Sequence, residues 1–413
     1  IYGGGQEIGI VGESNISLQS GTATDVYGGG FKAEVTTSNV VLSGTAVVTS
    51  IYGGSNTLGT VTTSNVTLTS GTLTNVFGGG NGKDRYKLDG GNAWEEKPGA
   101  DVGIINAAAY AADHTKGLYG TGKSKASVLG GTVHNLFGAS NTKGNVVSES
   151  LAYVDNANLC DLNVGGIYGG GNEAYMDGDS KIELGCIEAL EEIYGGARNA
   201  DVKGDINLTI SSGHFDRVFG GNNIGGTING SITVTIEETG CNPITIGELY
   251  GCGNQAAYTT PELKKHPTIN LISFTSIGNV FGGGLGKDAV VTGNPTVNIN
   301  VENPGKNANR ENWSYNGSII DFGNEYIVQL PVHEKGKIGV IGTVYGGGNA
   351  AAVIGNTTVK MTKGIVENTL FGGGNAANVE GSTSVTILDG TIGGNVYGGG
   401  NQAAYSNTVN MYI

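Results

Sequence analysis

A decapeptide recurs along this chain and constrains its fold more than any other feature. It reads VYGGGNQAAY at 396–405, LYGCGNQAAY at 249–258, VYGGGNAAA at 344–352 and LFGGGNAA at 370–377. Counted from its aromatic residue, the motif returns every 25 or 26 residues over most of the chain and every 31 residues in places. Such a period is the signature of a repeat architecture, in which each unit buries its apolar residues only against its neighbours.

Apolar and polar residues alternate inside each repeat. In SNVTLTSGTLTNVFGGGN, residues 64–81, the valines and leucines would face one way and the threonines the other. This alternation marks short, half-buried strands, and the glycines mark the bends between them. Two or three such strands fill 25 residues, which is the length of one coil of a parallel β-helix.

The sequence therefore predicts an all-β fold, a single-stranded, right-handed parallel β-helix of about 13 coils. We expect it to run through residues 1–413 as one continuous solenoid with two insertions, at about 82–118 and 286–340. Coils stacked about 4.8 Å apart would give a rod of about 60 Å. In the first insertion the LYG at 118–120 is one possible repeat anchor, and the register can also be drawn through Val102 and Asn106.

Stacked coils are expected to align identical side chains as ladders. The aromatic residue of the motif, for example Tyr168, Tyr194 and Phe219, would stack on its equivalents at a corner that glycines turn. The asparagine four residues later would hydrogen-bond along the ladder to the next amide. The asparagines in this position include Asn172, Asn254, Asn349, Asn375 and Asn401. The motif lacks the lysine and following helix of a phosphate-binding loop, so it is interpreted as structural.

Composition and charge narrow the possible partners. The net charge is −14 and is spread along the 413 residues. Because a phosphate-binding surface needs a basic stripe, the chain is not expected to bind nucleic acid. No apolar run approaches the roughly 18 residues of a membrane span, so the chain is not expected to be membrane-spanning. It opens on IYGGG and closes on NTVNMYI, both inside repeat units, and we expect further repeats of the same chain at both ends.

The two insertions share features that suggest ligand contacts. Both begin with GGxGxD, which places Asp84 and Asp288 in equivalent positions, and each contains one of the two tryptophans, Trp94 and Trp313. GGxGxD is similar to a calcium-binding repeat, so calcium at either aspartate is one interpretation and a glycine turn leaving the coil is the other. No other cofactor is expected. The tryptophans, with Tyr315, would stack on a sugar ring or a protein loop, or would pin their own insertions to the solenoid.

Charged residues are densest in 173–217, where Asp205, Asp216 and Arg217 are the candidate ligand-binding side chains. The expected neighbours on adjacent coils are Asp179 with Asp205, Asp216 with Glu191, and Arg217 with Glu192. The segment would form either a binding groove or a solvated charged face. Paired carboxylates at a defined separation, or a basic cluster beside a general base, would be needed for an enzyme that cleaves polysaccharides.

Four cysteines occur, at 160, 186, 241 and 252. Cys160 and Cys186 each fall eight residues before an aromatic anchor, so we expect them to be ladder neighbours, either disulfide-bonded or stacked as free thiols. Neither a CxxC pair nor a metal-ligand spacing of histidines is present.

The YGGGN coil, with its Thr-Val-Thr-Leu strand and Gly-Thr-Ile turn, resembles the repeats of large bacterial surface proteins. More broadly it is similar to the β-helix stalks of adhesins and autotransporter passengers. The resemblance covers nearly the whole chain outside the insertions. It implies a secreted, surface-displayed structural and adhesive rod that is not an enzyme and whose insertions contact a host or bacterial surface glycan or protein.

Two alternatives remain open at this point. One is a polysaccharide-active β-helix enzyme, a lyase or glycosidase, working at 173–217. The other is an ice-binding solenoid that uses threonine-rich outward pairs. These pairs, such as Thr67/Thr69, Thr209/Ser211 and Lys360/Thr362, are irregular for that purpose.

Overall fold

The computed structural model describes residues 1–82, 99–105, 120–156, 162–302, 319–323, 326–329, 339–405 and 407–413. Within these ranges the chain has no α-helix, and most strands belong to two long parallel sheets of 13 and 14 strands stacked in register. The predicted all-β parallel β-helix is therefore confirmed. The 13 strands of the first of these sheets agree with the expected count of coils.

Most coils supply one strand to each long sheet, and the last two coils of the 14-stranded sheet each supply two short strands, at 365–366 with 370–371 and at 391–392 with 396–397. The 13-stranded sheet, called here the first sheet, is built from the Ser/Thr-alternating segments. The 14-stranded sheet, called the aromatic sheet, contains the strands that end on the aromatic residue of the motif. By their contacts the described residues divide into two compact units, an N-terminal unit of Ile1–Ile182 and Gly196–Asp205 and a C-terminal unit of Glu183–Gly195 and Ile206–Ile413. The sequence predicted one continuous solenoid through these residues.

The N-terminal unit contains twelve strands, and a thirteenth spans the division between the units. They are β1 Ile10–Leu18, β2 Thr22–Tyr27, β3 Glu34–Leu42, β4 Val47–Tyr52, β5 Val61–Leu68, β6 Thr72–Phe77, β7 Ile104–Ile105, β8 Gly120–Thr121, β9 Lys123–Val128, β10 Gly131–Phe137, β11 Glu149–Val154, β12 Leu162–Tyr168 and β13 Asp179–Leu184. In the first sheet β1, β3, β5, β9 and β11 pair in that order. In the aromatic sheet the order is β2, β4, β6, β10 and β12.

The first insertion lies between β6 and β9, and some of its described residues pair with strands of neighbouring coils. Phe77 stacks directly on Phe137, and Leu118 and Tyr119 of the other expected anchor lie outside the described residues. Val102 instead forms parallel bridges to Val61 and Val146, which supports the alternative register drawn through that residue. The described part of the insertion also contains the antiparallel pair β7–β8.

The C-terminal unit contains the remaining strands. They are β14 Ala189–Tyr194, β15 Ile206–Ile210, β16 His214–Phe219, β17 Ile232–Glu237, β18 Thr245–Tyr250, β19 Tyr258–Thr259, β20 Thr268–Ser273, β21 Ser276–Phe281, β22 Val291–Thr292, β23 Thr296–Asn300, β24 Ile319–Gly323, β25 Tyr326–Gln329, β26 Val340–Tyr345, β27 Val353–Ile354, β28 Thr357–Lys363, β29 Ile365–Val366, β30 Leu370–Phe371, β31 Thr383–Ile387, β32 Thr391–Ile392, β33 Val396–Tyr397 and β34 Val409–Tyr412. In the aromatic sheet β14, β16, β18, β21 and β26 follow one another.

Part of the expected second insertion continues the coil. Its expected range, 286–340, includes β22 and β23, and both continue the coil: β22 lies in a three-stranded parallel sheet between β19 and β27, and β23 lies between β20 and β28 in the first sheet. Between β23 and β26 the structure describes 301–302, 319–323, 326–329 and 339. These residues include the antiparallel hairpin β24–β25.

The predicted aromatic ladder is confirmed in both units. Rings on neighbouring coils are stacked, with centroid separations of 4.8 Å for Phe137 on Tyr168, 4.9 Å for Tyr194 on Phe219 and 4.8 Å for Phe219 on Tyr250. Each stacked aromatic pair contributes about 0.5–1.5 kcal/mol beyond the burial of its rings. The glycines beside the rings let successive corners approach closely: a Cβ on Gly220 would lie 2.4 Å from the carbonyl oxygen of Gly251.

The predicted asparagine ladder is also confirmed. The side-chain amide of Asn172 donates to Asn141 at 2.9 Å, that of Asn254 to Asn223 at 3.0 Å, and that of Asn401 to Asn375 at 2.9 Å, which in turn donates to Asn349 at 3.0 Å. Asn375 thus donates to one neighbouring amide and accepts from another, whereas the amide of Asn349 donates to the hydroxyl of Tyr250 at 3.2 Å.

Candidate functional site

The densest charged surface of the C-terminal unit lies on the outer face of the aromatic sheet. In β14, β16 and β18 the third and fourth residues are less buried than the residues that flank them, because the flanking apolar residues fill the core. These outward positions hold Glu191 and Glu192 on β14, Asp216 and Arg217 on β16, and Glu248 on β18. We call these five residues the carboxylate row.

Arg217 is the cation at the centre of the carboxylate row. It pairs in register with Glu192 on one side and Glu248 on the other, and its guanidinium forms an ion pair with Glu192. Tyr194 donates a hydrogen bond to Glu192, and Tyr250 donates one to Glu248 at 2.9 Å. Arg217 is 39% exposed, so its ion pair is worth at most about 1 kcal/mol. The predicted contact of Arg217 with Glu192 is confirmed.

Glu191 is the carboxyl group of the row whose ionisation the surroundings oppose. Burial raises the pKa of Glu191 above its ordinary value, repulsion from Glu192 and then from Asp216 raises the pKa further, and attraction to Arg217 partly offsets both. The influence of Asp216 on Glu191 agrees with the predicted proximity of these two carboxylates. A carboxyl group with a raised pKa keeps its proton to a higher pH than an ordinary glutamic acid does, which is the property that a proton donor needs.

His214 supports the row from the start of β16. Its Nε2 lies 3.1 Å from Asp216 Oδ1, and its Nδ1 lies 2.7 Å from Thr245 Oγ1. The histidine side chain is only 8% exposed, whereas Asp216 is 42% exposed. The buried His214 thus orients the Asp216 carboxylate from its inner side, and the exposed outer side of that carboxylate is open to a ligand.

The second insertion approaches the carboxylate row. Strand β25 lies against β14. The inner side chains of β14, Leu190 and Ile193, are buried in the core, so β25 approaches from outside the coil. The chain rejoins the aromatic sheet at β26, four strands from β14, which is about 19 Å at the usual strand spacing. The structure therefore brings together two features that the sequence predicted separately, an insertion and the charged segment 173–217.

Asp205 belongs to a different sheet and a different unit from the carboxylate row. It precedes β15 of the first sheet and belongs to the N-terminal unit, whereas Asp216 and Arg217 lie in the aromatic sheet of the C-terminal unit. The predicted neighbour of Asp205 is confirmed, because its backbone N–H donates to Asp179 Oδ1 at 2.7 Å. In the same unit Lys203 forms an ion pair with the buried Asp177 at 2.6 Å.

Of the candidate calcium and stacking residues, Asp288 lies in the described part of the chain. Asp288 is exposed and lies 3.4 Å from the Nζ of Lys287. Across the described ranges no cluster of three or more His, Cys, Asp or Glu side chains could hold a metal ion. Asp84, Trp94, Trp313 and Tyr315 lie outside the described residues.

The predicted disulfide between Cys160 and Cys186 is wrong. Cys186 is bonded instead to Cys241, with a Cα–Cα distance of 5.1 Å, and Cys160 lies outside the described residues. The fourth cysteine, Cys252, has a free and fully buried thiol, and burial raises its pKa.

Turn length explains the change of disulfide partner. Cys186 and Cys241 lie two coils apart in the turns 185–188 and 238–244, and the turn between them, 211–213, is the shortest of the three. The longer turn folds across it: the backbone N–H of Gly240 donates to Ser211 at 2.8 Å, and the amide of Asn242 donates to Ile187 at 2.7 Å. The expected pairing of Cys160 with Cys186 followed from their equal distance to the aromatic residue of each coil. That distance predicts neighbours only where the turns have equal lengths.

The outward pairs of the first sheet also differ from those predicted. Ser211 is buried, and the outward residues of its strand are Asn207 and Thr209. In register, one outward column of the C-terminal unit runs Asn207, Thr233, Thr268, Thr296, Thr358 and Ser384. This column is more regular than the sequence pairs suggested, although its neighbouring column contains Lys360.

A buried serine ladder in the N-terminal unit was missed at the sequence level. Ser38, Ser64, Ser124 and Ser150 are fully buried, and each hydroxyl donates to the carbonyl oxygen of the glycine after the aromatic residue of its coil, at 2.5–2.7 Å. The signal was present, because these serines share the period-two parity of the inward valines and leucines.

Comparisons of the chain with protein-family models, with curated protein sequences and with solved structures find no match. Among the residues that the structure describes, no helix has the length and apolar character needed to cross a lipid bilayer.

Proposed function

We propose that this chain is a structural and adhesive module of a secreted, surface-displayed bacterial protein, with the carboxylate row and the neighbouring second insertion as its ligand-contact surface. The structural part of this proposal rests on the charged side chains of the carboxylate row, which form contacts with other residues of the aromatic sheet. Arg217 is paired with Glu192, Glu248 with Tyr250, and Asp216 with His214. The ion pair of Arg217 with Glu192 joins two neighbouring coils, and the other two contacts fix the orientation of Glu248 and Asp216 within their own strands.

The disulfide supports a location outside the reducing cytosol. Disulfides persist mainly in secreted proteins and on cell surfaces, where the environment is oxidising. Cys186–Cys241 joins turns two coils apart, and its cysteines are 55 positions apart in the sequence. Isolation of the protein from its source cells, with quantitative labelling of thiols, tests this location. Recovery of Cys186 and Cys241 as reduced thiols would contradict it.

Adhesion at the carboxylate row requires a ligand whose groups donate hydrogen bonds to carboxylates. Four carboxylates surround one guanidinium in the row, so its partners are hydroxyl or amine donors of a surface glycan or protein. A glycan array and an array of surface proteins, probed with the purified chain, test this directly. The double variant Asp216→Asn with Glu248→Gln should lose most of the retained ligand while keeping side-chain shape.

A matched control is available in the other unit. Asp25 occupies the same outward position in its coil as Glu248, two residues before the aromatic residue, but it lies far from any described hairpin strand in sequence. Asp25→Asn should leave binding unchanged. Equal loss in the control, or binding that survives the double variant, would remove the carboxylate row from the proposal.

A second candidate function is supported by Glu191. Its raised pKa, beside the exposed carboxylate of Asp216 and the cation of Arg217, gives a proton donor next to a carboxylate on an outer face. A polysaccharide lyase or glycosidase could use such groups. Release of unsaturated products or reducing ends from a polysaccharide panel, abolished by Glu191→Gln, would favour the enzyme over the adhesive module.

A further inference from the structure

The outer face of the first sheet carries a regular array of polar side chains in the C-terminal unit. Two outward positions on each of six neighbouring strands, β15, β17, β20, β23, β28 and β31, form two columns. One column runs Asn207, Thr233, Thr268, Thr296, Thr358 and Ser384, and the other runs Thr209, Thr235, Asn270, Asn298, Lys360 and Thr386. We call these twelve residues the polar array. Eleven of the twelve are uncharged, and all are half-buried or exposed.

The polar array has regular spacing in two directions. Its residues stay in register across all five strand pairs, and the two register shifts fall just beyond it, at Glu237 and Asn300. Equivalent side chains on neighbouring strands lie about 4.8 Å apart, and alternate residues of one strand lie about 7 Å apart. Five strand intervals make the array about 24 Å long. The side chains therefore form a two-dimensional lattice of hydrogen-bonding groups.

The same face of the first sheet is different in the N-terminal unit. On β9 and β11 the outward positions hold Lys123, Lys125, Glu149, Leu151 and Tyr153. Lys123 forms an ion pair with Glu149 at 3.0 Å, and the Nζ of Lys125 lies 5.4 Å from the ring centroid of Tyr153. Strand preference explains threonine at outward positions, but asparagine is disfavoured in strands. The polar array is thus better described by its hydrogen-bonding capacity than by its strand preference.

The side chains of the polar array have hydrogen-bonding capacity for a ligand. A threonine hydroxyl can donate one hydrogen bond and accept two, and an amide has two N–H donors and one carbonyl acceptor. Asn298 donates to Asn270 at 3.0 Å, which uses one of its two N–H groups. The array therefore offers donors and acceptors side by side along its whole length.

We propose that the polar array binds the ordered surface of an insoluble, uncharged, β-linked polysaccharide. The array is almost free of charge in a chain whose net charge is −14, so its ligand is recognised by hydrogen bonds and not by charge. Sugar hydroxyls both donate and accept, as the array does. Extended β-linked sugar chains pack side by side in such a solid, so the solid also repeats its hydroxyls in two directions. This surface lies on the first sheet and is separate from the carboxylate row of the aromatic sheet.

The size of the polar array favours a solid over a globular protein as its ligand. Two columns, each about 7 Å wide and 24 Å long, cover about 300 Å². A standard protein complex buries about 800 Å² on each partner. A solid compensates for a small contact, because it offers many equivalent positions to which a dissociated chain can bind again.

Ice is another uncharged solid with a regular surface, and the composition of the array disfavours it. Asn207, Asn270 and Asn298 bring amide groups that a lattice of water does not reproduce, and the ammonium group of Lys360 is strongly hydrated. Hydroxyls of a polysaccharide accept hydrogen bonds from amide and ammonium groups alike.

The first test measures depletion of the purified chain from solution by microcrystalline cellulose and by chitin, over a range of protein concentration. At least one of the two solids should bind the natural chain, and about 1 M NaCl should not reduce binding, because the contact is uncharged. Binding to neither solid, or its loss in salt, would overturn the proposal.

Variants assign the binding to the polar array. Thr233→Lys with Thr296→Lys should weaken binding by about tenfold or more, since two charges would be desolvated at the contact. The control Thr37→Lys with Thr67→Lys adds the same charges to the outer face of the first sheet in the N-terminal unit, and it should bind as the natural chain does. Equal loss in both pairs contradicts the proposal.

A second pair of substitutions tests the hydroxyls without adding charge. Thr235→Val with Thr268→Val keeps side-chain shape and strand preference but removes two hydroxyls, and it should weaken binding by about fivefold or more. Circular dichroism and the urea midpoint verify that each variant is folded. Unchanged binding by the folded valine variant would show that hydrogen bonds from these hydroxyls do not hold the solid, which overturns the proposal.

Two further measurements separate this surface from the other candidates. Asp216→Asn with Glu248→Gln should bind cellulose or chitin as the natural chain does, whatever ligand the carboxylate row has. Loss of binding in that variant would assign the solid to the carboxylate row and contradict the present proposal. Inhibition of ice recrystallisation by the natural chain, abolished by Thr233→Lys with Thr296→Lys, would show that the array binds ice and would also overturn it.

Discussion

Replacing one interior rung of the aromatic ladder measures what stacking contributes to stability. Phe219 is fully buried and stacks on two rings, at 4.9 Å from Tyr194 and 4.8 Å from Tyr250. Leucine in its place keeps most of the buried apolar area but loses both aromatic contacts. At about 0.5–1.5 kcal/mol for each stacked pair, Phe219→Leu should lower the free energy of unfolding by about 1–3 kcal/mol. Phe219→Ala, which also leaves a cavity, should cost about 3–5 kcal/mol.

The outermost rung provides the control for this prediction. Tyr397 stacks on Phe371 at 5.2 Å, and its other ring face is exposed. Tyr397→Leu should therefore cost about half as much as Phe219→Leu, near 0.5–1.5 kcal/mol. Urea unfolding followed by circular dichroism gives both values, provided that the slope of the transition is shared. The reasoning is refuted if both leucine variants cost the same or if Phe219→Leu costs nothing measurable.

Three further perturbations test other parts of the structure. Ser64→Ala removes the buried hydroxyl that donates to the carbonyl of Gly78 at 2.6 Å and should destabilise the chain by about 1–3 kcal/mol in urea unfolding, because that carbonyl loses its buried partner. Reduction of Cys186–Cys241, which closes a loop of 55 residues, should lower the free energy of unfolding by about 4 kcal/mol on the chain-entropy model, measured as the shift of the urea midpoint with and without reductant. Glu191→Gln should stabilise the chain at neutral pH and have little effect in acid. The folded-state pKa of Glu191 is raised by burial and by its carboxylate neighbours, so the folded chain holds this proton more tightly than the unfolded chain, and the natural protein loses stability as the pH rises through that interval.

Each of these predictions has an outcome that contradicts it. Thr67→Ala, on the outer face of the same strand as Ser64, should change stability by no more than about 0.5 kcal/mol, and an equal cost at both positions would remove the role of the buried hydroxyl. An unchanged midpoint after reduction would show that the turn 238–244 is held by its hydrogen bonds alone. A difference between Glu191→Gln and the natural chain that is the same at every pH would show that ionisation is not its cause.

The regular part of the fold was predictable because the same contact is repeated. Tyr194 and Phe219 lie one repeat apart in the sequence, and their rings stack in the structure. Asn375 and Asn401 also lie one repeat apart, and their side-chain amides are hydrogen-bonded. Position along the repeat predicts position in space wherever the turns have equal lengths. Cys186 and Cys241 break that condition, since their turns differ in length from each other and from the turn between them.

The carboxylate row was predictable only in part. The pairing of Arg217 with Glu192 follows from the repeat period, so the sequence identified it. The separation of Asp205 from Asp216 did not follow, because consecutive strands of one coil enter different sheets. The approach of β25 to β14 had no counterpart in the sequence pattern, since an insertion is not bound to the period of the coils.

The sequence by itself determined the parallel β-helix, the number of its coils and the residues that stack at its corners, because those properties depend on one short contact that recurs at a fixed interval. Only the tertiary structure decided that the turns of Cys186 and Cys241 touch across the shorter turn between them. It also decided which sheet carries each charged residue and which strand the second insertion contacts. These are contacts between segments outside the repeat, and their positions are set by packing in three dimensions and not by a period along the chain.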